Sequence, residues 1–143
     1  MFIGEYLHNL DEKKRLSIPA KFRASLANGC VITRGLDRCL WVYPKDVWQG
    51  FAEKIGSLPI TQKDARSFAR LMLAGAQECD LDKSGRIVMP KYLQDYANIK
   101  NRVAVNGVYD RIEIWPEDKW QEFKKGMEDN SDEIAEHLSE IGL

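Results

Sequence analysis

The apolar positions of this chain fall into short alternating runs, each followed by a stretch of helical period. Leu16 and Ile18 alternate with Arg15 and Ser17, and Ile87 and Met89 with Arg86 and Val88. Alternation of this kind predicts strands with one buried face. The same reasoning predicts a first strand over about 2–10 and a shorter one near 77–81, with others over about 29–34, 38–43, 102–106 and 111–115. Pro19 and Pro90 stand where short helices begin, and Pro44 and Pro116 where longer ones begin, because the first helical turn tolerates proline. In the longer helices Trp48, Phe51 and Ile55, or Trp120, Phe123 and Met127, recur on one face, as core packing requires. Thr61–Gly75 also reads as a helix, with Phe68, Leu71, Met72 and Gly75 on one side and Thr61 and Asp64 set as a loose capping box. A last helix over about 132–141 has Ser131 as its N-cap. It is expected to dock through a narrow stripe of Ile134, Leu138 and Ile141.

These elements occur twice. Leu10–Phe22 aligns with Leu81–Leu93 at an offset of 71, so that Leu, Asp, Arg and Pro coincide. Downstream the offset becomes 72, and Gly35, Leu40, Val42, Tyr43, Pro44, Asp46, Trp48 and Phe51 fall on Gly107, Ile112, Ile114, Trp115, Pro116, Asp118, Trp120 and Phe123. Self-similarity at a fixed spacing marks a duplicated unit. The chain is therefore expected to be α+β, with units over 5–47 and 76–119, a connecting helix over 53–75 and an acidic C-terminal helix over 128–143.

Both copies separate an Asp from an Arg by three residues at a strand–turn–strand junction: Asp11 and Arg15, then Asp82 and Arg86. Three-residue hairpin loops end in a left-handed residue, which glycine accepts most easily. Gly85 holds that position in the second copy and Lys14 in the first, at a cost of about 1 kcal/mol. Two readings stand side by side. The pair can latch the hairpin alone, contributing at most about 1 kcal/mol if exposed. Or each carboxylate orients a planar guanidinium at the tip of a β-ribbon, ready for phosphates or a guanine edge, and a two-stranded ribbon fits the major groove. Lys13 and Lys14 flank Arg15 while Lys83 precedes Arg86, so the first turn is predicted to bind polyanions more strongly.

Met1-Phe2-x-Gly4-Glu5-Tyr6, followed by Asp11-x-Lys13-x-Arg15-Leu16-Ser17-Ile18-Pro19-Ala20-Lys21-Phe22-Arg23, strongly resembles the start of the MraZ family of bacterial transcriptional regulators. The resemblance continues through Ala65-Arg66, Leu73-Ala74-Gly75-Ala76 and Glu78-Cys79-x-x-Asp82-x-x-Gly85-Arg86-Ile87. It covers the chain apart from the acidic tail. It implies two tandem SpoVT–AbrB units forming a pseudo-two-fold double-split β-barrel flanked by helices, assembled into a homo-oligomeric ring. It further implies binding to promoter direct repeats in double-stranded DNA, upstream of the division and cell-wall gene cluster, usually as a repressor. The family's motif arginines fall on Arg15 and Arg86, and its motif aspartates on Asp11 and Asp82. The family usually has glycine at the place of Lys14.

Charge changes the picture further. The formal net charge is -1. Residues 1–70 nevertheless carry +5, from 12 Lys/Arg against 7 Asp/Glu, and residues 71–143 carry -6, from 9 against 15. Six bases and no acid lie between Lys13 and Leu36, and six acids without Lys or Arg between Glu128 and Glu140. Such asymmetry suggests a polyanion-facing surface and a solvating tail. Cys30, Cys39 and Cys79 lack CxxC spacing, which predicts reduced, buried thiols in a cytoplasmic protein rather than a disulfide frame or zinc site; nucleoid association is what the resemblance implies. No uncharged apolar run approaches the roughly 18 residues of a membrane span, and the N-terminal residues lack a secretion signal's pattern. His8 and His137 fit no metal spacing, and no nucleophile–base set accompanies the carboxylates. The expectation is thus a DNA-binding protein, without cofactor, metal or catalysis. The alternative from another class is a self-assembling interaction module with no DNA role.

Overall fold

The computed structural model describes residues 1–143. Its strands are β1 (Phe2–Asn9), β2 (Arg15–Ser17), β3 (Cys30–Arg34), β4 (Leu40–Pro44), β5 (Gln77–Cys79), β6 (Arg86–Val88), β7 (Arg102–Tyr109) and β8 (Arg111–Pro116). Its helices are α1 (Ala20–Arg23), α2 (Lys45–Gly56), α3 (Lys63–Ala69), α4 (Lys91–Ala97), α5 (Glu117–Asp129) and α6 (Ser131–Ser139). A 3-10 turn, Ala24–Leu26, extends α1, and α3 runs into a π turn, Arg70–Ala74. Pro19, Pro44, Pro90 and Pro116 are each the residue before a helix, with ψ between 136° and 146°. They are N-caps in extended geometry rather than first helical residues. A proline there forfeits no ladder or helix bond that its missing N–H would have to make.

The strands form two antiparallel sheets. The larger has the order β1-β7-β8-β4-β3-β5, and the smaller is β2-β6. Each pairing other than the two hairpins β3–β4 and β7–β8 joins one copy to the other. Equivalent residues exchange places across these pairs: Leu40 with Ile114 and Val42 with Ile112, Arg15 with Val88 and Ser17 with Arg86. The main core lies between the sheets. Leu16 and Ile87 of the small sheet, with Ile18 and Met89 just past its strands, pack with Ile32, Val42, Val105 and Ile114 of the large one, and Phe22 and Leu93 join the same core. A second cluster on the outer face joins Trp41, Tyr43, Ala104 and Trp115 to Ile55 of α2 and Met72 of the π turn.

Several expectations change. The Asp-x-x-x-Arg segments were expected to tip β-hairpins, but β1 pairs with β7 and β2 with β6. The core is built by swapping strands between copies, and the turn survives as a corner between two sheets. Gly35 is not the counterpart of Gly107. Arg34 opposes Leu40 as Gly107 opposes Ile112, and Cys30 opposes Pro44 as Val103 opposes Pro116. The offset through β3 and β7 is therefore 73, with two residues gained around α4 and one lost in the β7–β8 turn. Gly107 has its own reason, since a Cβ there would stand 2.5 Å from the Ile3 backbone nitrogen of β1.

The segment 53–75 is not one helix. It holds the end of α2, a turn closed by the Gln62 N–H on the Pro59 carbonyl, then α3 and the π turn. Because that turn runs to Gln62, Gln62 caps α3 and the Thr61–Asp64 box does not form. In the tail, Ser131 is already helical and Asn130 precedes it. That single residue separates α5 from α6, so α6 cannot fold back as α3 does. Ile134 and Ile141 stay 41% and 80% exposed, contrary to the expected docking.

Candidate nucleic-acid interface

The small sheet buries Leu16 and Ile87 on its inner face, which leaves Arg15, Ser17, Arg86 and Val88 on the outer one. At its two ends the chain enters through equivalent turns. Lys14 donates its N–H to the Asp11 carbonyl at 3.0 Å, and Gly85 to the Asp82 carbonyl at 3.0 Å. The third residue of each turn is left-handed, with φ of 59° at Lys14 and 75° at Gly85. Each turn also holds the opposite copy: the Ile18 N–H donates to the Gly85 carbonyl and the Met89 N–H to the Lys14 carbonyl.

The aspartates organise these turns. Asp11 Oδ1 accepts from the N–H groups of Lys13 and Arg15, both at 2.9 Å, and Oδ2 from Arg15 Nε at 2.7 Å. Asp82 repeats this with Ser84, Arg86 and Arg86 Nε, all at 2.9 Å. The backbone N–H of Arg15 holds the Asp11 carboxyl below its ordinary value, and that of Arg86 does the same for Asp82. Both guanidinium groups are engaged through Nε. Their terminal nitrogens make no protein hydrogen bond, and the Arg15 and Arg86 side chains are 27% and 30% exposed. The two pairs also meet. Arg86 Nη1 lies 3.8 Å from Asp11 Oδ2, so both predicted arginine–aspartate sets form one patch on the outer face.

Lys13 and Lys83 are exposed at the turns, while Lys14 Nζ leans onto the Lys100 carbonyl at 3.3 Å. An open cleft of about 670 Å³ beside the first turn is lined by Lys13, Lys14, Lys91 and Lys100 with Asn98 and Asn101, and by Asp95, which pairs with Lys91. Lys91 and Lys100 had no signal in the sequence, since they reach the first turn only because the second copy packs beside it. Beside the second turn stands Arg23, whose Nε donates to the Ile18 carbonyl at 2.8 Å. A Cβ at residue 85 would sit 2.3 Å from that nitrogen. The counterpart of Arg23 is the shorter Gln94, which is buried and donates to the Met89 carbonyl at 2.7 Å. This exchange explains why the first turn admits a lysine where the second keeps glycine. A second groove of about 700 Å³ lies between Asp37–Arg38 and α5–α6, away from both turns.

No helix is long and apolar enough to cross a membrane. A family model described as "MraZ protein, putative antitoxin-like" matches the chain twice, over residues 1–71 and 72–140. Three relatives, each named Transcriptional regulator MraZ, align over the full length of both chains. The protein of Herpetosiphon aurantiacus is 51% identical, that of Caldanaerobacter subterraneus 47% and that of Natranaerobius thermophilus 46%. A duplicated motif, strands exchanged between the duplicates and full-length relatives agree, and the chain belongs to the MraZ family.

Proposed function

We propose that this protein is a transcriptional regulator that binds double-stranded DNA directly, through Arg15 and Arg86 with Lys13, Lys14 and Lys83 around them. The names of its relatives support the regulatory role. One observation carries the DNA-binding part: two aspartate-oriented guanidinium groups stand side by side on an outer face with their terminal nitrogens unbonded. Asp11 and Asp82 fix the arginine planes before DNA arrives, so little rotamer entropy is lost on binding. A guanidinium held in plane suits bidentate contact with guanine O6 and N7 or with phosphate oxygens. The lysines add phosphate contacts that set position but not sequence.

In this reading the two sheets are a pseudo-two-fold double-split β-barrel built from units 5–47 and 76–119, acting in the cytoplasm on the nucleoid. One protomer offers few base contacts, so a homo-oligomeric ring engages successive direct repeats and gains avidity without new contact types. The edge strand β1, with Ile3 56% and Leu7 49% exposed, supports self-assembly, because an uncovered edge invites a partner. The targets are direct repeats upstream of the division and cell-wall genes, and the outcome is chiefly repression.

The test is a titration of repeat and scrambled duplexes against wild type, Arg15→Ala and Arg86→Ala, with the mass of each free protein measured alongside. Either substitution should abolish the preference for repeat DNA while leaving the assembly intact. Wild-type affinity should fall steeply with salt through counterion release. Undiminished repeat binding by both variants would overturn the assignment. Wild-type protein that assembles yet ignores DNA at low salt would leave the interaction-module reading standing.

A further inference from the structure

Cys30 on β3 and Cys79 on β5 belong to different copies and are direct cross-strand partners. Their sulphurs lie 3.0 Å apart. Directly opposed residues of an antiparallel pair have Cα atoms about 4.5–5.5 Å apart, inside the range a disulfide spans. Closing the sulphurs to about 2.05 Å needs a side-chain rotation rather than a shift of either strand. The two thiols differ in access. Cys30 is 1% exposed, whereas Cys79 is half-buried on the outermost strand of the large sheet. They also differ in acidity: the hydrogen bond between them holds the Cys79 thiol below its ordinary value and, with burial, pushes Cys30 up. The third thiol, Cys39, is buried on the Leu36 carbonyl and stands apart from the pair.

We propose that Cys30 and Cys79 form a dithiol modification site that hydroperoxides convert to a disulfide joining the two copies. The Cys79 thiolate attacks a peroxide oxygen and the O–O bond breaks, leaving a sulfenic acid on Cys79 while the released hydroxide takes up a proton as water. Cys30 then loses its proton and its sulphur attacks the Cys79 sulphur. The S–S bond forms, the S–O bond breaks and a second water leaves. Two thiols are oxidised and one peroxide is reduced to two waters. The bond would tie down β5, a strand of three residues that leads through Asp80 and Leu81 into the Asp82 turn. The site is independent of the DNA reading and its test needs no nucleic acid.

The full-length protein is treated with hydrogen peroxide, its remaining thiols are alkylated, and intact mass and peptide maps are recorded. The expected result is an alkyl adduct on Cys39 alone where the reduced control carries adducts on all three cysteines, a Cys30–Cys79 linked peptide, and reversal by a dithiol reductant with a fall in melting temperature. In Cys30→Ser, Cys79 should be trapped as a dimedone adduct, and in Cys79→Ser, Cys30 should stay reduced at the same dose. Wild-type protein that accumulates sulfinic acid on Cys79 without a link would overturn the site. So would a bond to Cys39 or to a second chain.

Discussion

Lys14 and Gly85 hold the same place in two copies of one turn, and a single difference in their surroundings sets what each tolerates. The left-handed conformation costs a lysine about 1 kcal/mol, offset in part by its exposed bond to the Lys100 carbonyl. Lys14→Gly should therefore raise the stability by up to about 1 kcal/mol, read as a higher midpoint in urea at unchanged slope. Gly85→Ala should do the reverse, by about 1–2 kcal/mol, because it adds backbone strain and displaces Arg23 from the Ile18 carbonyl. A Gly85→Ala loss that is unchanged in an Arg23→Ala background would contradict the role given to Arg23. The aspartates set a pH limit. Their folded-state values are depressed, so the stability they add is complete above the ordinary aspartate value of about 3.9 and is lost as pH falls through the lower folded values. Replacing both by Asn should flatten the acid side of a melting-temperature profile below about pH 4 while shifting the neutral plateau down uniformly. The turn residues and the glycine exception were legible in sequence because they follow from local backbone sterics. Arg23 and Gln94 as their arbiters were not, since each reaches the turn of the opposite copy.

Among the elements, β8 carries the densest polar anchor. Glu113 accepts from Trp41 Nε1 at 2.9 Å, Trp115 Nε1 at 3.1 Å and Arg111 Nη2 at 3.0 Å, with its side chain 14% exposed. The Arg111 guanidinium also lies 4.7 Å from the Trp41 ring. Trp41 and Glu113 are opposed across β4 and β8, the central pairing between the copies. Glu113→Ala leaves two indole N–H groups without their acceptor and the half-buried Arg111 guanidinium with Asp110 alone, and should cost about 3 kcal/mol. Thermal unfolding of that variant beside an exposed control such as Glu122→Ala checks this. Strands and helices were readable here because alternation and aromatic spacing are local signals. Pairing was not: the hairpin expected from Asp11–Arg15 is the answer local turn chemistry favours, and it loses to burial of Leu16 and Ile87 against the other copy. The Gly35–Gly107 match misled for a related reason, since a residue identity made a gain of two residues and a loss of one look like a single insertion. The tail shows the same limit. Of the expected stripe only Ile134 and Leu138 lie on α6, which ends at Ser139 before Ile141, and the one-residue link at Asn130 denies it the return path that residues 57–62 give α3.

For the whole molecule, exchange of strands between copies means that neither half holds a complete core. Expressed alone, residues 1–71 would lose every partner of β1 and β2 and keep only the β3–β4 hairpin, which is marginal in water. They should show no cooperative thermal transition, whereas an equimolar mixture with residues 72–143 should regain one at high concentration. A cooperative melt of the isolated half at wild-type temperature would contradict the interleaved core. Joining the copies in one polypeptide also removes a constraint that free partners obey. Two identical chains must present identical reading surfaces, and their operators mirror that two-fold symmetry as palindromes. Here a lysine beside one arginine faces a glycine beside the other, so the two turns are free to diverge in what they contact. Under the proposed DNA-binding role, operators for such a molecule need no inverted symmetry, and a word repeated in one direction becomes a natural target.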